Sequence, residues 1–260
     1  MYKEIRPHHL LMDYVDAYWV SAAVSFSQQR ILPDTCADII FNIGEEVITI
    51  DNGDKIAPHT AFAVGTMTAF HDSQLAAGTQ LLGIRFRPGG LYAFTGLPLQ
   101  LITDAHLPLK AMAGNWHALL EPILANEHSL PAKIRCIEKF LLQQLPERKT
   151  ITGSIRHGIE QIQQSKGNVA VETLAASVFM SPRNFERHFL QTVGVSPKKF
   201  SRIVRFIAIK QQLKRNTNTP LLSLALENGF YDHAHLTREF SAFSGVSPTT
   251  YLQRQVNHSV

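Results

Sequence analysis

Residues 192–200 read TVGVSPKKF, and residues 243–251 read FSGVSPTTY. Gly194 and Gly245 are each followed by Val-Ser-Pro, fifty-one positions apart. A glycine suits the left-handed residue that commonly ends a helix. Serine suits the cap of the next helix, and proline its first position, where the missing N–H leaves nothing unpaired. The phrase therefore marks, twice, a place where one helix stops and another starts.

The similarity extends upstream. LAASVFMSPRNFERHF begins at Leu174 and LALENGFYDHAHLTREF at Leu224. Leu174-Ala175 matches Leu224-Ala225 at an offset of fifty, whereas Phe185, Arg187 and Phe189 match Leu236, Arg238 and Phe240 at fifty-one. One residue has been added, expected near Asp232–His235, inside a turn that tolerates insertion. Each copy has the grammar of a helix-turn-helix, and the two units are expected at about residues 171–190 and 221–241. In the first, Val171, Leu174, Ala175 and Val178 form an apolar stripe, Phe179-Met180 a turn, and Ser181 the cap of a helix with Phe185 and Phe189 inward. Arg183, Asn184, Glu186, Arg187 and His188 then face outward. In the second, Asn228-Gly229 turns the chain, Asp232 caps, and Leu236 and Phe240 point inward. His233, His235, Thr237 and Arg238 are left outside.

A helix-turn-helix offers its second helix to the major groove of duplex DNA, and two units can reach successive grooves about 34 Å apart. The intervening SPKKFSRIVRFIAIKQQLKRN would span about 30 Å as a helix. It carries seven Lys and Arg and no acidic residue. Lys198, Lys199 and Arg202 are assigned to phosphate contacts, the others to packing or solvation. From Ser154 onward there are 13 Lys and Arg against 6 Asp and Glu; before it there are 12 against 15. A basic C-terminal region on a slightly acidic partner points to a polyanion at one end only. A protein-binding helical array is the rival, although such arrays usually need three or more repeats.

The first half reads as strands. DIIFNI, VITI, TAFAVG and QLLGIRF are β-branched and aromatic, punctuated by LPDTC, DNGD and RPGG. Short strands at close spacing argue for a small barrel or sandwich. After RPGG the apolar spacing becomes helical, in NWHALLEPILANE and LPAKIRCIEKFLLQQL. The fold class is thus α+β: a β-rich domain with a helical extension over residues 1–146, a linker over 147–154, and an all-α domain over 155–260. Stripes such as Leu119, Leu120, Leu124, Ile134, Ile137, Phe140 and Leu141 serve either their own domain or a homodimer contact.

The two late segments resemble the AraC/XylS family of bacterial transcription regulators, whose C-terminal domain holds two helix-turn-helix units joined by one helix. The second half is the more specific, resembling the family pattern A…GF…S…F.R.F…G.(ST)P..Y, with Tyr231–Ala234, where the family often has small polar residues, and Leu236, where Phe is frequent, as departures. The resemblance implies a sequence-specific regulator that binds double-stranded DNA, and RNA polymerase if it activates. It places base contacts on Arg183, Glu186 and Arg187 in one unit and on His233, His235 and Arg238 in the other. YWV, LPDTCADIIFNIG and GIRFRPGG resemble a cupin-like sensor domain of this family, which implies a small-molecule effector.

Catalysis finds no support. No GxSxG, HExxH or phosphate-loop pattern is present. His59 and His71 stand alone, and His8-His9 sits on an apparent terminal arm, so neither a metal site, a catalytic residue nor a cofactor is expected. In GIRFRP the alternation puts Ile84 and Phe86 on one face and Arg85 and Arg87 on the other. Those arginines either hold an anionic effector or pair with Asp34 or Asp38. Two cysteines far apart, no secretory leader and no apolar run of membrane-spanning length suggest the cytoplasm. A ligand-independent regulator whose barrel only assembles a dimer, and a barrel enzyme with a DNA-binding tail, are the remaining alternatives.

Overall fold

The computed structural model describes residues 2–49, 55–112, 114–126, 129–145, 150–215 and 220–257. Its N-terminal strands are β1 (Tyr2–Ile5), β2 (Val15–Ala22), β3 (Ser27–Ile31), β4 (Ala37–Asn42), β5 (Ile48–Thr49), β6 (Lys55–Ile56), β7 (Ala61–Val64), β8 (His71–Leu75), β9 (Gln80–Phe86) and β10 (His106–Pro108). Hydrogen bonding divides them into a six-stranded sheet, ordered β1-β2-β9-β4-β7-β10, and two ribbons, β3-β8 and β5-β6. Every pairing is antiparallel.

The strand alternation decides what lies on each face of the six-stranded sheet. Ile39, Phe41, Ala61, Ala63, Leu82, Ile84 and Phe86 form one core. Three helices cover it: α1 (Gly90–Thr95), α2 (Trp116–Asn126) and α3 (Leu130–Gln143). Their stripe of Leu120, Leu124, Ile134, Ile137, Phe140 and Leu141 is buried in that same core; Leu119 stays exposed. The opposite face carries Trp19, Ile40, Phe62, Val64 and Leu81, which pack with Ile48, Ile56 and Leu75 of the ribbons. At one crossing only glycine fits: Trp19 pairs with Gly83, and a Cβ on Gly83 would run into the Trp19 ring.

Two local expectations are corrected. His8-His9 is not on a loose arm. The His8 backbone N–H donates to Glu138 Oε1 at 2.6 Å, and the turn after it buries Leu11 in the core. The linker is shorter than expected, because α4 (Thr150–Gln164) already includes residues 150–154; residues 147–149 lie outside those described. The physical reason is that Ile155, Ile159 and Ile162 recur at helical spacing and are buried in the core of the first helix-turn-helix unit.

That unit consists of α5 (Val171–Ser177) and α6 (Pro182–Val193). The second consists of α8 (Leu221–Glu227) and α9 (His233–Ser244), and α10 (Pro248–Asn257) comes after it. Between them α7 (Pro197–Arg215) supplies Phe200 and Val204 to one core and Ile203, Phe206, Ile209 and Leu213 to the other. One helix thus forms a wall of both units. The added residue is Tyr231, upstream of the expected place. Met180 N–H bonds Ala175 O and Phe230 N–H bonds Ala225 O, both at 2.9 Å and offset by fifty. The caps Ser181 and Asp232 are already offset by fifty-one, so the extra position falls between Phe230 and Asp232.

Candidate nucleic-acid interface

Helices α6 and α9 are defined at both ends by the side chains that the repeat predicted. Ser181 Oγ accepts from the Asn184 N–H at 3.3 Å, and Asp232 Oδ1 accepts from the His235 N–H at 2.7 Å. Each bond satisfies an amide that the first helical turn would leave unpaired. At the other ends Gly194 (φ 91°) and Gly245 (φ 75°) take the left-handed conformation. The two helices are therefore of equal length, twelve residues each, and are bounded alike.

Their outer faces are open. Arg183, Glu186 and Arg187 on α6 are exposed, as are His233 and Arg238 on α9. Asn184 is half-buried and its Oδ1 accepts from Arg187 Nη2 at 2.8 Å, which braces the arginine along the helix. Thr237 and His235 are half-buried. The His235 ring meets Phe230 edge-on at 5.1 Å, so part of its role is to hold the turn against α9.

The basic residues of α7 divide by use. Lys198 is exposed. Lys199 lies over the Phe243 ring at 5.1 Å, and Arg202 Nε donates to Glu239 Oε1 at 2.7 Å. Arg202 and Lys199 thus tie α7 to α9, because Glu239 and Phe243 face them across the helix crossing. Arg205 donates to the Gly167 carbonyl at 3.1 Å and covers Phe230. Lys210 lies over Phe206, and burial lowers its pKa.

The N-terminal domain holds the far ends of the same two helices. Thr66 Oγ1 donates to Val193 O at 2.7 Å, and Thr103 Oγ1 to Gly194 O at 2.6 Å. Arg30 Nη1 donates to Ser244 O at 3.3 Å. Val193 and Ser244 are equivalent under the fifty-one-residue repeat. Sequence reasoning missed Thr66, Thr103 and Arg30; nothing in their local pattern marks them.

Arg85 lies on β9 and Arg87 directly after its end, and the two do not share a site. Arg85 is ringed by acid: Glu4 Oε1 at 2.9 Å, Asp34 Oδ2 at 3.6 Å and Asp38 Oδ1 at 3.8 Å. Burial alone would lower its pKa, yet Asp38 and Asp34 hold it above its usual value. Arg87 pairs with Asp16 at 3.1 Å and lines a different cleft, together with Asp13 and Arg156. Of the two alternatives, Arg85 takes the pairing with Asp34 and Asp38, with Glu4 of β1 added, whereas the partner of Arg87 is Asp16. Arg85 instead lines a cavity of about 360 Å³ on the ribbon side of the sheet, with Tyr2, Trp19, Asp34, Asp38 and Phe62. Trp19 Nε1 donates to Asp38 Oδ1 at 2.6 Å. Burial, with Asp34 beside it, pushes the Asp38 carboxyl up to about 7 against the opposing pull of Arg85 and Trp19.

Among known proteins, residues 3–108 match a domain of unknown function designated DUF6597, and residues 174–254 match a helix-turn-helix domain. An uncharacterized HTH-type transcriptional regulator of Haemophilus influenzae is 32% identical over 115 residues, which are 44% of this chain and 37% of that protein. The chain thus spans little more than a third of that relative. Among solved structures, a probable AraC family transcriptional regulator from Rhodopseudomonas palustris is 28% identical over 39% of this chain and 96% of its own, with a TM-score of 0.36. ToxT from Vibrio cholerae is 11% identical over 90% of this chain and 95% of its own, with a TM-score of 0.46.

Proposed function

From the helix-turn-helix domain matched at residues 174–254, we infer that this protein is a bacterial transcription regulator of the AraC type that reads duplex DNA with α6 and α9 in successive major grooves. One observation carries the reading: two equivalently capped helices, both packed on a common spacer helix, present Arg183 and Arg187, and His233 and Arg238, outward. Arg187 and Arg238, at equivalent positions of the repeat, are assigned to bidentate guanine contacts, each worth about 1–3 kcal/mol of discrimination. Glu186 is assigned to cytosine and His233 to the base edges of the second half-site.

The N-terminal domain gates this reading through its bonds to the ends of α6 and α9, in response to a small molecule in the ribbon-side cavity. As a regulator of genes it would act in the cytoplasm.

The test is duplex binding by the full chain across a salt series, on random and on selected sequences. Affinity should fall steeply with salt, and selected sites should win by about 10³-fold or more. Arg187→Ala and Arg238→Ala should each relax preference at a separate base position. Weak binding that ignores sequence would overturn the reading and leave the repeat as a scaffold for protein contacts.

A further inference from the structure

The ribbon-side cavity plays no part in the DNA-reading faces, and its walls select a chemistry. Its volume of about 360 Å³ lies in the range of pockets for small organic molecules. Two arginines line it. Arg30 is neutralised by Asp72 through paired bonds of 2.7 and 2.6 Å. Arg85 faces three carboxylates, Glu4, Asp34 and Asp38. Lys210 of α7 also feels the charge of Asp34. With that lysine counted, three carboxylates face two cations, and Asp38, whose carboxyl is pushed up to about 7, carries its charge fully only above that pH. The surplus is therefore one of mildly alkaline solution. An anion entering the cavity would add to the surplus, whereas a cation would relieve it.

The remaining lining agrees. Tyr2 and Trp19 stack at a ring distance of 6.1 Å, and Phe62 lies in the same lining. Aromatic faces attract ammonium and guanidinium groups. Ile40, Val64 and Leu81 offer apolar surface for the body of a ligand.

The cavity is also wired to the DNA-binding domain. Arg30 lines it and bonds Ser244 O. Gly65 and Met67 line it and flank Thr66, which bonds Val193 O. Asp104 lines it and comes directly after Thr103, which bonds Gly194 O.

We propose that this cavity binds a small organic cation, an ammonium or amidinium on an apolar body, with Asp34 and Asp38 as counter-charges and Tyr2 and Trp19 as ring contacts. Occupancy then changes the hold on the ends of α6 and α9. The binding half stands alone; the gating half rests on the DNA-binding function inferred above.

The full chain is titrated calorimetrically at pH 8, where Asp38 is mostly ionised, with phenethylammonium and benzamidinium, and with 3-phenylpropionate and benzoate as size-matched anions. At least one cation should saturate a single site, neither anion should, and Asp34→Asn should weaken the cation by about tenfold or more. A readout on the unaltered protein accompanies the variant. In a proton–nitrogen spectrum the cation should move the Trp19 indole resonance and leave that of Trp116, buried in the other core, in place. Binding of the anions, binding of neither cation, an unchanged affinity in Asp34→Asn, or a Trp19 resonance that does not move would each overturn the site. Duplex affinity is then measured with and without the saturating cation, where a change of about fivefold or more is expected. No change would overturn the gating alone. Absence of duplex binding with intact cation binding would overturn the DNA-binding function and leave the site standing.

Discussion

The Thr66 hydroxyl donates to the Val193 carbonyl at 2.7 Å, and Thr66 is almost completely buried. Val193 is the last residue of α6; its counterpart Ser244 is the last residue of α9 and takes its bond from Arg30. A single domain thus grips the two equivalent helices at the same carbonyl of each. Their mutual orientation depends on that grip as well as on α7.

Thr66→Val keeps the shape of the side chain and removes the donor. The Val193 carbonyl then stays buried without this partner, at a cost of about 1–3 kcal/mol. Urea unfolding of the full chain should show the loss, with no change in the helical content of the folded state. An unaltered midpoint would mean that water replaces the hydroxyl.

Asp38 makes stability depend on pH in the less usual direction. Its folded pKa, about 7, lies above the ordinary 3.8, because burial and Asp34 disfavour the charged form more than Arg85 and Trp19 favour it. The folded state therefore holds this proton more tightly than the unfolded chain does. The stabilisation from this group is complete below about pH 4 and is lost as pH rises through about 7. Asp38→Asn should raise the urea midpoint at pH 8 relative to wild type and narrow the difference between pH 5.5 and pH 8. A variant less stable than wild type at pH 8 would contradict the sign.

Phe179 occupies the left-handed region at φ 57°, where the second unit has Gly229 at 74°. Its side chain is 99% exposed, so the ring gives no packing in return. A non-glycine residue in this conformation costs about 1–2 kcal/mol, while glycine loses about 0.5–1 kcal/mol in chain entropy. Phe179→Gly should therefore stabilise the protein by about 0.5–1 kcal/mol in thermal or urea unfolding. Destabilisation would reveal a contact made by the ring.

Arg202 and Lys198 differ in what they face. Arg202 bonds Glu239, which is mostly buried, whereas Lys198 is exposed. Arg202→Gln should lower stability by about 1–3 kcal/mol, since it removes the charged partner of Glu239. The salt slope of duplex binding should hardly change. Lys198→Gln should do the reverse, reducing that slope by about 1 with little effect on unfolding.

These assignments show where the sequence was legible. β9 was read to the residue and β4 to within one, because one of their faces is a row of large apolar side chains with period two. β1 was not, since Tyr2–Ile5 is an edge strand that is largely exposed. β3 and β8, SQQRI and HDSQL, form a polar ribbon whose pairing no alternation announces. In the helical half the caps were legible because capping is local. The surroundings of Arg85 were not: Glu4, Asp34 and Asp38 reach it from separate parts of the chain, and no spacing rule joins them. The hydroxyls of Thr66 and Thr103 were hidden for the same reason.

Helix α7 has one more consequence. Its nineteen residues make a rod of about 28 Å, and each residue added would turn the downstream helices by about 100° while advancing them about 1.5 Å. Its faces are also committed to two cores at once. If α6 reads the duplex as proposed, lengthening α7 by one residue would swing α9 a quarter-turn and more away from the face of the duplex that α6 reads. Side-chain exchange on α6 and α9 can thus retarget the protein to a new base sequence, but the distance between the two half-sites is written into a length that the protein has no means to edit in small steps.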